Sequence, residues 1–143
     1  MEVIMFVKAI VGSKGSGKTP IMLDQMELLA KDKDLNIVFI EYGKTVDQIL
    51  PHSVRLIDIT EYPVRGYGQL IAFLAGMNAK DYDISHIFID SLLTIADDYD
   101  KEHLDEFLVD LNTLAREADV HVTISISSDV QDLSENALRF VEN

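Results

Sequence analysis

Gly12-Ser13-Lys14-Gly15-Ser16-Gly17-Lys18-Thr19 satisfies every fixed position of the pattern G-x-x-x-x-G-K-[ST]. An apolar run, Val3 to Val11 with Lys8 its one exception, leads into it, and apolar residues at helical spacing follow. Each residue type suits the holding of an anion. Glycines let successive backbone N–H groups curl inward, and a helix beginning just after them adds the positive end of its dipole. Lys18 then reaches the β and γ phosphates as a point charge, and the Thr19 hydroxyl ligates Mg²⁺. A flexible glycine turn with an incidental lysine would account for neither the strand-like run before it nor the helical pattern after it. The stretch is therefore expected to bind phosphate, with Gly12 to Thr19 contacting ATP or another nucleoside triphosphate.

Working outward, Val3 to Val11 reads as a buried parallel strand, and Met22, Met26, Leu29 and Ala30 mark a helix that ends in the polar turn Lys31 to Asp34. Asn36 to Ile40 forms a second strand running up to Glu41, and Val54 to Ile59 a third. Thr45 to Leu50 is expected to form one or two helical turns, and Glu61 to Gly68, with Pro63, Gly66 and Gly68, a loop. Leu70, Phe73, Leu74 and Met77 give a helix, with a polar turn at Asn78 to Asp83. His86 to Asp90 is a fourth strand, and Leu104, Phe107, Leu108, Leu111, Leu114 and Ala115 form a strongly periodic helix capped from Asp97 to Asp100. Val120 to Ser127 alternates as a fifth strand with one less apolar face, and Ser134 to Val141 is a last short helix. Strands alternating with helices predict one α/β domain over residues 1–143, a three-layer sandwich around a five-stranded, mostly parallel sheet. Ligands of such sheets lie at the carboxyl ends of the strands, where Glu41, Asp58 to Arg65, Asp90, Ser91 and Ser127 to Asp129 gather with the glycine-rich loop.

Composition narrows the function classes. The net charge of −13 opposes nucleic acid and anionic membranes, and the twelve basic residues are scattered. With no cysteine there are no disulfides or thiolate metal sites, and no apolar stretch reaches membrane-spanning length. The early acid Glu2 makes the N-terminal run more like a strand than a signal peptide, so a cytoplasmic location is expected. His52, His86, His103 and His121 lack the paired spacing of zinc ligands. The acids from Asp97 to Glu106 fit helix capping and a solvated face better than a metal cluster. Arg65 reads as a solvated loop arginine before an arginine finger. Tyr42, Tyr62 and Tyr67 read as boundary residues before base-stacking platforms.

Asp90 closes an apolar strand, where an aspartate can hold Mg²⁺ through its water shell beside Thr19. Asp58, which closes Val-Arg-Leu-Ile-Asp, is the competing Mg²⁺-linked aspartate, and strand order decides between them. Glu41 ends the second strand, and as a base it would orient an attacking water.

Taken together, the glycine-rich loop, Phe-Ile-Glu closing the second strand and Ile-Phe-Ile-Asp-Ser-Leu on the fourth resemble the RecA/KaiC-like P-loop ATPase core, in the form of small stand-alone bacterial P-loop proteins. The resemblance implies the sheet order 3-2-4-5-1. It also implies Lys18 and Glu41 as catalytic residues, Thr19 and Asp90 at Mg²⁺, and Ser127 as a polar sensor. In that order the first strand is an edge, open to a homodimer or a protein partner. The expected function is Mg²⁺-dependent ATP binding with slow or partner-dependent hydrolysis. The alternatives are a nucleotide-sensing module without turnover and a nucleoside or nucleotide kinase, which the lack of an arginine-rich lid disfavours. Pro20 departs from the pattern, because the residue after the Lys-Thr pair often donates its N–H to the α-phosphate and proline has none. Pro20→Ala is predicted to tighten ATP binding by about 1 to 3 kcal/mol, measured by direct titration; unchanged or weaker binding would refute it.

Overall fold

The computed structural model describes residues 5–142, so the part of the expected first strand formed by Val3 and Ile4 lies outside the described residues. Five strands form a single all-parallel sheet: β1 (Val7–Gly12), β2 (Ile37–Glu41), β3 (Val54–Asp58), β4 (His86–Ile89) and β5 (His121–Ser127). Their order is β1-β5-β4-β2-β3, which counted from the opposite edge is 3-2-4-5-1.

Residue alternation builds the layers. Val38, Ile40, Ile87, Ile89, Ile124 and Ile126 turn to one face, where they pack with Leu70 and Leu74 of α2 (Gly66–Lys80) and Leu104, Leu108 and Leu111 of α4 (Lys101–Ala118). Ile37, Phe39 and Phe88 turn to the other and pack with Met22 and Met26 of α1 (Lys18–Leu29). An all-parallel sheet needs both faces covered, and these near-continuous apolar strands meet that need. Met22 and Met26 are fully buried, each contributing about 1.5 to 3 kcal/mol, which fixes α1 and the loop before it to the sheet.

The structure departs from the local expectations in four places. Thr45 to Leu50 is not helical but a series of bends and turns, because Glu41 draws the Thr45 and Val46 amides around its carboxylate. The expected loop from Glu61 to Gly68 ends early: α2 begins at Gly66, started by a hydrogen bond from the Arg65 amide to Gln69 Oε1 (2.7 Å) and anchored by buried Tyr67. A short helix not expected from the sequence, α3 (Leu92–Ala96), follows β4 with Leu92 and Ile95 buried beneath it. The expected C-terminal helix is a single turn, α5 (Glu135–Leu138), capped by Ser134.

β1 is the edge strand, but its outer side is occupied by this same chain. Ala9 N donates to Phe140 O (2.7 Å), and Glu142 N donates to Ala9 O (2.8 Å), giving an isolated parallel bridge between Ala9 and Val141. Nearer the start of the strand, Asn112 Oδ1 on α4 accepts the amides of Phe6 (2.9 Å) and Val7 (3.2 Å). These groups hold positions on the edge that the sequence leaves open to a second chain. Asn112→Ala strips an acceptor from two amides and is predicted to lower stability by about 1 to 3 kcal/mol, measured by urea unfolding.

Candidate functional site

The strand order brings the end of β1 and the ends of β4 and β2 to one rim. Gly12 pairs with Ser127, and the next step along that rim carries Asp90, whose amide donates to Ile40 O (2.9 Å). Between β1 and α1 the backbone turns through Gly15 (φ +82°) and Gly17 (φ +91°), left-handed conformations that a side chain would oppose. Within the loop, Ser16 N donates to Ser13 O (3.1 Å). The amides of Lys18 and Thr19, in the first turn of α1, have no carbonyl four residues back within the helix to receive them. Gly12 is tightly enclosed: a Cβ there would press on Ser16 Oγ and lie 3.3 Å from Ser16 Cβ, so the Ser16 side chain would have to move. Lys18 folds back over the loop, its Nζ donating to Gly12 O (3.0 Å) and Ser13 O (2.9 Å).

The side chains meet at Asp90, only 8% exposed. Thr19 Oγ1 donates to Asp90 Oδ2 (2.6 Å), and Ser125 Oγ donates to Asp90 Oδ1 (2.6 Å). Ser125, on β5, also accepts the Ser91 amide (2.7 Å), and Ser91 takes a left-handed backbone (φ 63°) at the start of α3. The resemblance implies Ser127 as the polar group of β5, yet it is Ser125 that touches Asp90. The signal lay in the less apolar face of β5, where Thr123, Ser125 and Ser127 alternate.

Glu41 lies on the neighbouring strand and is 4% exposed. Its Oε1 accepts Thr45 Oγ1 (2.6 Å) and the Thr45 amide (3.3 Å), and its Oε2 accepts the Val46 amide (3.4 Å). In this arrangement it clamps its own loop. Asp58 belongs to the far edge, four strand spacings from β1, or about 19 Å. It accepts Gly43 N, Thr60 N and Thr60 Oγ1, and the Thr60 hydroxyl bond is the main cause that holds its carboxyl below the usual range. Strand order thus separates Asp58 from Thr19 and joins Asp90 to it.

No protein-family model matches the chain, and no curated protein matches it either. What the site can hold therefore has to be judged from its own atoms. Among the described residues no three His, Cys, Asp or Glu side chains come close enough to hold a metal ion. A hydroxyl and a carboxylate, Thr19 and Asp90, are too few for an all-protein cation cage. They do fit Mg²⁺, which keeps several waters and takes its other ligands from a phosphate chain.

A cleft of about 360 Å³ is lined by Gly12, Ser16 and Lys18 themselves, and two more lie further along the rim. One, of about 550 Å³, runs past Ser13, Lys14, Ser91, Ser127, Ser128 and Asp129. The other, about 980 Å³, lies beyond Thr94 and Tyr99, which line both, and includes Tyr42, Tyr62 and Arg65. Tyr67 lines neither of these two: it is buried with its ring against Phe107, its hydroxyl donates to Asp98 O (2.9 Å), and burial pushes the phenol well above its ordinary pKa. Asp100 caps α4 through the His103 amide. Asp98 accepts His103 Nδ1 (2.8 Å) and the Asp100 amide; that amide is the leading cause that lowers the Asp98 carboxyl, while the Asp98 bond raises His103. Thr45→Val removes a short bond to a buried carboxylate and is predicted to cost about 1.5 to 3 kcal/mol, with Thr45→Ser costing less, both measured by urea unfolding.

Proposed function

We propose that this protein is a Mg²⁺-dependent ATP-binding P-loop protein of RecA/KaiC-like type, with slow or partner-dependent hydrolysis. The single observation that carries the reading is the 2.6 Å contact between Thr19 and Asp90, which are 71 residues apart. Either residue alone fits a helix start or a strand end. Their meeting beside a loop of left-handed glycines is what a Mg²⁺-nucleotide site requires.

In this reading the backbone of Gly12 to Thr19 surrounds the phosphates, and Lys18 leaves the Gly12 and Ser13 carbonyls for the β and γ oxygens. Its charge then lies where negative charge grows during transfer. Thr19 and Asp90 would hold Mg²⁺, which supplies charge neutralisation between the β and γ phosphates. Glu41 is the base, one strand from Asp90, and orients the attacking water once it leaves Thr45 and Val46.

That last step accounts for slow turnover. Hydrogen bonds to a charged group contribute about 1.5 to 3 kcal/mol each, so giving up even the two that Thr45 donates costs about 3 to 6 kcal/mol, a factor of about 10² to 10⁴ in the population with a free Glu41. A protein partner that captures the turn around Thr45 would lift this restraint. The same clamp favours a second reading, a nucleotide sensor that never frees Glu41. A kinase lid would need arginines, and Arg65 is the one such residue lining the larger cleft.

Lys18→Ala is predicted to weaken Mg²⁺-ATP binding at least about tenfold in calorimetric titration, the loss of one charged contact. Glu41→Gln is predicted to keep binding and abolish phosphate release. Equal release rates in wild type and Glu41→Gln would establish the sensor, and failure of wild type to bind ATP or GTP would remove the assignment altogether.

A further inference from the structure

Ser125 is fully buried, in a strand whose flanking residues Ile124 and Ile126 are apolar core. A hydroxyl in such a place has to find partners, and this one has two. Its oxygen accepts the Ser91 amide at 2.7 Å, and its single proton goes to Asp90 Oδ1 at 2.6 Å. The amide is part of the backbone, so it fixes where the hydroxyl can point. Asp90 is then held at both ends, Oδ1 by Ser125 and Oδ2 by Thr19. The carboxylate cannot rotate about its own axis without breaking one of these bonds.

Cations differ in what they ask of a carboxylate. Mg²⁺ sheds water reluctantly and accepts a carboxylate at one remove, through a water of its shell. Ca²⁺ gathers six to eight oxygens and readily takes a carboxylate directly, often through both oxygens. A carboxylate pinned at each oxygen serves the first arrangement and resists the second. We infer that Ser125 is a positioning and specificity-determining residue, and that by locking Asp90 it makes this site accept Mg²⁺ in preference to Ca²⁺ when nucleotide binds. The inference rests on the Mg²⁺-nucleotide reading above and assigns its metal selectivity to a residue outside the glycine-rich loop.

The test is equilibrium titration of N-methylanthraniloyl-ATP into wild type, Ser125→Ala and Ser125→Thr, each in EDTA, in excess Mg²⁺ and in excess Ca²⁺. Wild type is expected to bind about tenfold more tightly with Mg²⁺ than with Ca²⁺, the equivalent of one charge-assisted hydrogen bond. In Ser125→Ala that ratio falls to about threefold or less while binding in EDTA stays the same, and Ser125→Thr, which keeps the hydroxyl, restores it. A role confined to packing would change stability and leave the ratio alone. An unchanged ratio in Ser125→Ala overturns the inference, as does a wild-type protein that binds equally well with either cation, a result independent of whether any variant folds. Absence of nucleotide binding by wild type in all three conditions overturns the phosphate-site reading itself, and so is distinguishable from failure of the selectivity claim alone.

Discussion

A carboxylate enclosed by protein is stable only when donors surround it, and at Asp90 the donors come from opposite ends of the chain. Thr19 lies 71 residues before it and Ser125 lies 35 residues after. The bonds therefore link α1, β4 and β5, and they form only if β5 sits between β1 and β4. Another strand order would strand a buried charge, at a cost of several kcal/mol. The geometry of the rim and the topology of the sheet are in this sense one constraint.

The sequence revealed the elements better than their alignment. Apolar runs marked all five strands, and the spacing of Leu104 to Ala115 marked α4, because periodicity is a property of each segment by itself. Register is a property of pairs. Ile89 lies opposite Ile124, so the next residues along, Asp90 and Ser125, become neighbours, while Ser127 is drawn to Gly12. No pattern within β5 distinguishes Ser125 from Ser127, since both point to the same face. Asp58 and Asp90 were likewise indistinguishable as acids closing apolar strands until the strand order separated them.

Glu41 shows a different kind of illegibility. Its position at a strand end was plain, but its partners belong to a turn whose shape the carboxylate itself organises. Thr45 to Leu50 has a sequence that tolerates a helix, and a tertiary contact overrides that local preference. α3 was missed because five residues are too few to show a period, and because its start depends on a left-handed serine.

The way β1 is closed also bears on how the molecule comes into being. Val7 is bonded to Asn112, 105 residues further on, and the same strand is sealed by β5 and by Phe140 to Glu142. During synthesis β1 thus precedes Asn112 by 105 residues, and until that part of the chain follows, its apolar side chains and edge have no partner. Long-range pairing of this kind is slow to form, and over that interval an unpaired apolar strand is a surface open to chaperones or to an encounter with another copy.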